Sequence, residues 1–206
     1  MGKEIMSVYN FAHSINPNLT EDFAYWENGF TESELQQIVS YGEKLIPKKA
    51  SITGKSLEED FKEFRESRVS WIQLNEDTHW LYEKIAYIAR NLNSRFFQFD
   101  LSGFVEDFQY TVYDGDTRGH YDWHVDAINN KNANSPRKLS MVLQLSDPTE
   151  YEGGEFQLMN SKNPLILKKE KGFLAAFPSY MLHRVTPVTK GTRKTLVIWI
   201  SGPQFR

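Results

Sequence analysis

Residues 105–113 read VEDFQYTVY, and their alternation sets the fold class. Successive side chains of an extended chain point to opposite sides, so Phe108, Tyr110 and Val112 share one face while Gln109, Thr111 and Tyr113 share the other. The same period of two recurs in MVLQLS (141–146), GGEFQL (153–158), PLILKK (164–169), FLAAFP (173–178), HRVTPV (183–188) and TLVIWIS (195–201). Gly, Pro, Asn and Asp punctuate these runs, as short strands joined by turns require. In the second run Met141, Leu143 and Leu145 oppose Ser140, Val142 and Gln144. An ordinary half-solvated sheet explains this pattern. A sharper reading puts the apolar faces under helices and the polar faces around a cavity.

Helices belong upstream of this region. Thr31 and Glu34 form a T-x-x-E capping box ahead of Leu35, Ile38, Val39 and Leu45, which predicts a helix over about residues 32–46. A second amphipathic helix runs from about Asp77 to Asn93, with Trp80, Leu81, Ile85, Ile88, Ala89 and Leu92 as its apolar stripe. Residues 47–66 are charged and weakly patterned and read as a mobile loop with room for a short helix. Helices followed by about eight short strands predict an α+β fold, a double-sheet β-roll with helices packed on one sheet. A β-sandwich with helical decoration is the alternative. The reading takes residues 1–206 as a single domain, with an N-terminal arm (1–30), a mainly helical part (31–95) and a β core (96–206).

The chain has 206 residues, 40% hydrophobic and 25% charged, and this globular composition excludes a disordered, collagen-like or coiled-coil chain. The formal net charge of −3 argues against a partner gripped mainly through its phosphates, so nucleic acid is disfavoured. The absence of cysteine removes disulfides, zinc–thiolate sites, iron–sulfur clusters and thiol nucleophiles together. No window approaches the roughly 18 apolar residues of a membrane span, and Met1 to Asn10 lacks a signal-peptide core. The expectation is a soluble, cytoplasmic protein that engages no membrane.

Histidine, aspartate and arginine carry the chemistry. Residues 119–127, GHYDWHVDA, contain two H-x-D matches, His120/Asp122 and His124/Asp126. A spacing of two in a strand aims both members of a pair at one side, as two cis ligands of a single metal require. About one such match is expected by chance in a chain this rich in acids, so the motif alone is weak. Strict alternation puts positions 120, 122, 124 and 126 on one face and cannot choose between the pairs. His183, after the apolar run FLAAFPSYML, is the candidate third ligand, whereas His13 in the arm and His79 at a helix start read as surface or packing residues. Ten residues beyond His183, Arg193 opens the last strand and shares a face with Thr195, Val197 and Trp199. A charged residue on the inner face of a buried strand needs an anionic partner, and none lies nearby in sequence. Two histidines and one carboxylate leave three octahedral positions open, the arrangement of non-haem Fe(II) oxygenases. A nearby arginine can hold the far carboxylate of a chelated 2-oxo acid.

At this point the chain resembles the Fe(II)/2-oxoglutarate-dependent oxygenases of the prolyl 4-hydroxylase-like branch, which includes the PKHD-type hydroxylases. The resemblance covers roughly residues 105–202, through QYTVYDG, YDWHVD, RKLSMVLQLSDPTEYEGGEF and FPSYMLHRVTPVTKGTRKTLVIWISG. It implies a double-stranded β-helix, or jelly-roll, core with helices on the major sheet. It also implies a dioxygenase of the procollagen-proline 4-dioxygenase-like kind, with Fe(II), 2-oxoglutarate, O₂ and ascorbate (vitamin C) as cofactors and cosubstrates. Tyr121, three residues before His124, matches an aromatic of the family and favours His124, Asp126 and His183 as the iron ligands. Arg193 would bind the distal carboxylate of 2-oxoglutarate, Tyr113 would line the cosubstrate pocket, and Arg137 and Trp199 would meet the substrate. Gln144 departs from the family, standing where some prolyl hydroxylases carry a tyrosine that reaches 2-oxoglutarate.

The implied substrate is a prolyl residue in a protein or peptide. Three rivals stand beside it: a sister oxygenase acting on a free amino acid, another residue type or a small metabolite; a nucleic-acid base-repair oxygenase; and a non-enzymatic β-sandwich binding module. Taken alone, Arg137 reads as a solvated loop residue and Trp199 as a core aromatic. The Asn-rich stretch AINNKNANSP (127–136) reads as a loop whose position also suits a substrate lid.

Overall fold

The computed structural model describes residues 21–45, 47–49, 64–127 and 135–204. Most of the N-terminal arm with His13, most of the 47–66 loop and residues 128–134 of the Asn-rich loop lie outside the described residues.

Strand β1 (Ala24–Trp26) leads into helix α1 (Glu32–Lys44). The expected capping box is formed: Thr31 Oγ1 accepts the Glu34 amide, and the Glu34 carboxylate accepts the Thr31 amide at 2.7 Å. Such a cap is worth about 1 kcal/mol. Leu35, Ile38 and Val39 are buried on the inner face, and Gly42 lets the helix lie against the Tyr110 ring, since a Cβ there would fall 2.5 Å from it. Short strands β2 (Lys48–Lys49), β3 (Arg65–Glu66) and β4 (Arg68–Ile72) precede helix α2 (His79–Leu92). Its buried stripe is the expected one from Leu81 to Leu92, with Tyr82 added and Trp80 only partly covered. Tyr82 stacks on Phe108 with ring centroids 3.8 Å apart and donates its hydroxyl to the Ile72 carbonyl. Burying side chains of this size contributes about 1.5–3 kcal/mol each.

The remaining strands are β5 (Phe108–Asp114), β6 (His120–His124), β7 (Arg137–Gln144), β8 (Tyr151–Gly153), β9 (Phe156–Leu158), β10 (Leu165–Ile166), β11 (Leu174–Pro178), β12 (His183–Val185) and β13 (Val188–Ser201). The expected strand over 183–188 divides at Pro187, which has no amide to donate to a ladder. All pairings are antiparallel. The larger sheet runs β1-β11-β7-β13-β5-β4-β2 with β8 joined to β13, and the smaller runs β10-β9-β12-β6-β3. The fold is α+β with two facing sheets and helices on one of them, as the alternation predicts, in the jelly-roll arrangement that the resemblance implies.

Four strands, β1 to β4, come from the segment read as arm, helices and loop. Three of them extend the larger sheet and β3 closes the smaller one. They were not legible because two or three residues carry too little periodicity. Even Arg68–Ile72, the longest, sits beside a charged stretch that masks it.

Two cores result. Phe108, Tyr110, Met141, Leu143, Leu196 and Ile198 pack with both helices on the outer face of the larger sheet. Tyr113, Val142 and Phe177 of that sheet meet Phe156, Leu158 and Val185 of the smaller one. The outward faces of β5 and β7 thus lie under helices, and their other faces look toward the second sheet. Among the described residues, no helix is long and apolar enough to cross a membrane.

Candidate active site

A cavity of about 470 Å³ opens between the two sheets, and His124, Asp126, His183 and Arg193 all line it. β12 pairs with β6 so that His183 sits directly across from His124, with ring centroids 4.1 Å apart. Asp126 lies just past the end of β6, where its amide donates to the Ser179 carbonyl at 2.9 Å. Its Oδ2 is 3.5 Å from His183 Nε2, and its Oδ1 is 3.9 Å from His124 Nε2. One donor atom from each residue lies within 4.8 Å of the others. Small side-chain rotations bring all three onto one ion at bonds of roughly 2.0–2.2 Å.

The protonation state suits that use. His124 Nδ1 lies 2.7 Å from the Asp122 carbonyl oxygen and His183 Nδ1 lies 2.8 Å from that of Met181. A carbonyl only accepts, so each ring carries its proton on Nδ1 and turns the Nε2 lone pair toward Asp126. Burial pushes the His124 imidazole down to about 3, and His183 beside it adds to the effect. The neutral ring is the metal-binding form. Ser140 Oγ, held also by Ser179 Oγ at 2.9 Å, donates to Asp126 Oδ2 at 2.8 Å and fixes the carboxylate plane.

The expectation that positions 120, 122, 124 and 126 share a face is corrected by a bulge. His183 pairs with His124 while Val185 pairs with Tyr121, so two steps along β12 span three along β6. An extra residue in one strand reverses the facing of everything beyond it. Tyr121 therefore joins His124 at the cavity, its ring stacked on the imidazole at 3.4 Å. His120 and Asp122 do not line the cavity; Asp122 is exposed, and its Oδ1 accepts the Trp123 amide at 2.7 Å.

Arg193 is the largest fully buried side chain, 1% exposed. It sits opposite Tyr113 across the β13–β5 pair, with the guanidinium 5.3 Å from that ring. Nη2 donates to Gln144 Oε1 at 3.2 Å, while Nε and Nη1 are buried without a hydrogen-bond partner among the described residues. Leaving a buried charge unpaired costs several kcal/mol, so this corner of the cavity is built for an anion. Gln144 thus supports the guanidinium at the position where the family's tyrosine was missing. Thr195, Val197 and Trp199 line the same cavity, as their shared face with Arg193 predicts.

Arg137 and Trp199 stand together at the cavity wall, the guanidinium 3.6 Å above the indole. Arg137 is no solvated loop residue: it opens β7 and makes a two-pronged pair with Glu106 through Nε and Nη2. Glu106, Trp71, Phe64 and Arg65 also line the cavity, and sequence reading had assigned none of them. The alternation of Val69 and Trp71 in RVSWI was a usable signal for one of them. The others depend on chain pairing across distant segments.

Residues 108–201 match the family model described as the 2OG-Fe(II) oxygenase superfamily. The match spans a little under half of the chain, and His124, Asp126, His183 and Arg193 all fall inside it. Over 87 residues the chain is 42% identical to a PKHD-type hydroxylase of Teredinibacter turnerae, covering 41% of this chain and 38% of the relative. Over 118 residues it is 33% identical to a PKHD-type hydroxylase of Nitrosomonas europaea, covering 55% of this chain and 52% of the relative. The chain thus spans about half or less of the length of the curated relatives it matches.

The likeness of fold extends beyond the sequence match. A Pseudomonas putida prolyl-4-hydroxylase superposes with a TM-score of 0.68 at 16% identity, covering 90% of this chain and 95% of that one. A prolyl hydroxylase from Trichoplax adhaerens, solved with a hypoxia inducible factor peptide fragment, superposes with a TM-score of 0.70 at 19% identity, covering 88% and 84%.

Proposed function

We propose that this protein is an Fe(II)- and 2-oxoglutarate-dependent dioxygenase that hydroxylates a prolyl residue in a protein or peptide. One observation carries the reading: a fully buried guanidinium with two unpartnered nitrogens faces the cavity that holds a two-histidine, one-carboxylate cluster. Such a cluster with a separate anion site suits a metal and a dicarboxylate together better than it suits a structural zinc, which takes four protein ligands.

In this reading His124, Asp126 and His183 hold the iron, and their Nδ1 and Ser140 contacts keep the donor atoms aimed inward. Arg193 grips the distal carboxylate of 2-oxoglutarate, with Gln144 steadying its Nη2 and Tyr113 closing one side. Bound Fe(II), 2-oxoglutarate and O₂ supply the oxidising power for C–H hydroxylation, with succinate and CO₂ as co-products. The protein contributes placement and a space shielded from water. Trp199 and Trp71, with ring centroids 6.2 Å apart, give an apolar wall on which a prolyl ring can pack. Arg137 uses Nε and Nη2 on Glu106, and its Nη1, outside that pair, is the donor that would meet a peptide carbonyl. The prolyl hydroxylases among the structural neighbours, one of them with a peptide, support this choice of substrate class.

The test combines binding with product. Fe(II) or Mn(II) with 2-oxoglutarate raises the melting temperature of the full chain, since a ligand bound only by the folded state stabilises it. Aerobic incubation with proline-containing peptides adds 16 Da to a peptide, and His124→Ala abolishes the gain. The absence of both effects in the wild type rejects the reading.

A further inference from the structure

Arg65 is a second buried cation in the same cavity, and it has no assigned role. β3 pairs with β6 so that Arg65 lies opposite Tyr121, its guanidinium 4.3 Å above the ring. Tyr121 in turn stacks on His124, so guanidinium, phenol and imidazole form three layers leading to the metal cluster. The side chain is 7% exposed and lines the cavity. Nε donates to Ser67 Oγ at 2.9 Å, and Nη2 is buried without a partner among the described residues.

Charge decides what Arg65 awaits. If the proposed function holds, the two charges of Fe(II) and that of Arg193 balance Asp126 and the two carboxylates of 2-oxoglutarate. Arg137 is balanced by Glu106. Among the described residues, one positive charge in the cavity wall is then left over, on Arg65. A buried, hydrogen-bond-deficient guanidinium is stabilised most by a planar monoanion that it can meet edge-on.

We infer that Arg65 binds a carboxylate of the substrate, which makes it a specificity-determining residue that selects an anionic group within one or two residues of the oxidised carbon. The inference rests on the oxygenase reading of the site. The carboxylate has three possible sources: an Asp or Glu side chain in a peptide, a peptide C-terminus, or a free amino acid.

The experiment measures binding by calorimetry, without O₂, to the full chain loaded with Mn(II) and 2-oxoglutarate. The probes are neutral/anionic pairs: amidated proline-centred pentapeptides with Asn or Asp at each flanking position, the same Asn peptide with a free or an amidated C-terminus, and prolinamide against proline. Wild type is expected to favour the carboxylate member of at least one pair by tenfold or more, and the favoured pair identifies the source. Arg65→Met should erase the preference and Arg65→Lys should retain part of it. Arg65→Gln, which keeps a donor for Ser67, repeats the comparison should the methionine variant fold poorly. Stabilisation by Mn(II) and 2-oxoglutarate should be the same in all variants. Equal binding within every pair, no binding of any probe, or a preference that survives both neutral substitutions overturns the inference. So does loss of the 2-oxoglutarate effect in those variants, which would place Arg65 in the cosubstrate cradle. A wild type that ignores Mn(II) and 2-oxoglutarate yet prefers carboxylates instead sinks the oxygenase reading and leaves the anion selectivity of Arg65 standing.

Discussion

His183 and His124 are direct antiparallel partners on neighbouring strands, and Asp126 reaches both from just beyond the end of β6. Because the backbone ladder fixes the two rings, the cluster needs no metal to assemble it, and in the proposed reading it is preformed for one. Its affinity therefore depends on how well the carboxylate is held.

Removing Ser140 Oγ should loosen that carboxylate without touching a ligand. Outer-shell partners of this kind typically contribute 10- to 100-fold in metal affinity. Ser140→Ala is expected to weaken Mn(II) binding by about that much, while His183→Ala abolishes it. Titration followed by calorimetry distinguishes the two. An unchanged affinity in Ser140→Ala would show that Ser179 and the Asp126 amide suffice to set the carboxylate.

Arg193→Met should separate stability from ligand response. The substitution removes a buried charge lacking partners on two nitrogens, so the ligand-free chain should gain roughly 1–3 kcal/mol. The same change should weaken 2-oxoglutarate binding by about two orders of magnitude or more, as loss of a buried charge pair costs about 2–5 kcal/mol. Thermal melts with and without 2-oxoglutarate read both effects. A variant that is destabilised and still responds fully to the ligand contradicts the assignment.

Gly42→Ala should destabilise the fold despite alanine's better helix propensity. Alanine gains about 1 kcal/mol in a helix over glycine. Its Cβ, however, would lie 2.5 Å from the Tyr110 ring, which is 1% exposed and backed by β5. Overpacking of this kind costs about 1–3 kcal/mol. Urea denaturation should show a net loss, and Tyr110→Leu in the same chain should relieve it.

Acid should weaken the α1–α2 contact through Glu34. Burial raises its carboxyl, but the Lys84 ammonium and the Thr31 amide outweigh this, and the group titrates below its ordinary 4.5. A group whose folded value is depressed gives its stabilisation above the unfolded value and loses it as pH falls through the folded one. Stability should therefore decline below about pH 4.5, and Glu34→Gln should flatten that part of the profile. Melting temperatures between pH 3 and pH 6 for the two proteins check the sign.

Much of this arrangement is legible in the residues alone. The alternation in 105–113 and 141–146 separates two strand faces, but it left open whether the polar face meets water or a cavity, and the second sheet settles that. The capping box and the stripe from Leu81 to Leu92 place both helices. The ten-residue step from His183 to Arg193 marks a cation that nothing nearby in sequence can pair. Strands β1 to β3 escape notice because a pairing of two or three residues is stabilised by its partner strand, which a local pattern does not contain, and β4 because a charged stretch adjoins it.

By itself the sequence determined the α+β class, the two helices, the inward face of β13 and the small set of histidines and acids from which a ligand cluster could be drawn. Alternation left the two H-x-D pairs open and the resemblance favoured His124 and Asp126; the tertiary structure shows the geometry, one bulge in β6 that turns Tyr121 and His124 inward and leaves Asp122 in solvent. It also brought Arg65 and Glu106 to the cavity wall. The reason is common to these cases: facing at a bulge and contact across a sheet are set by hydrogen-bond register with distant segments, and register leaves no mark on the residues that obey it.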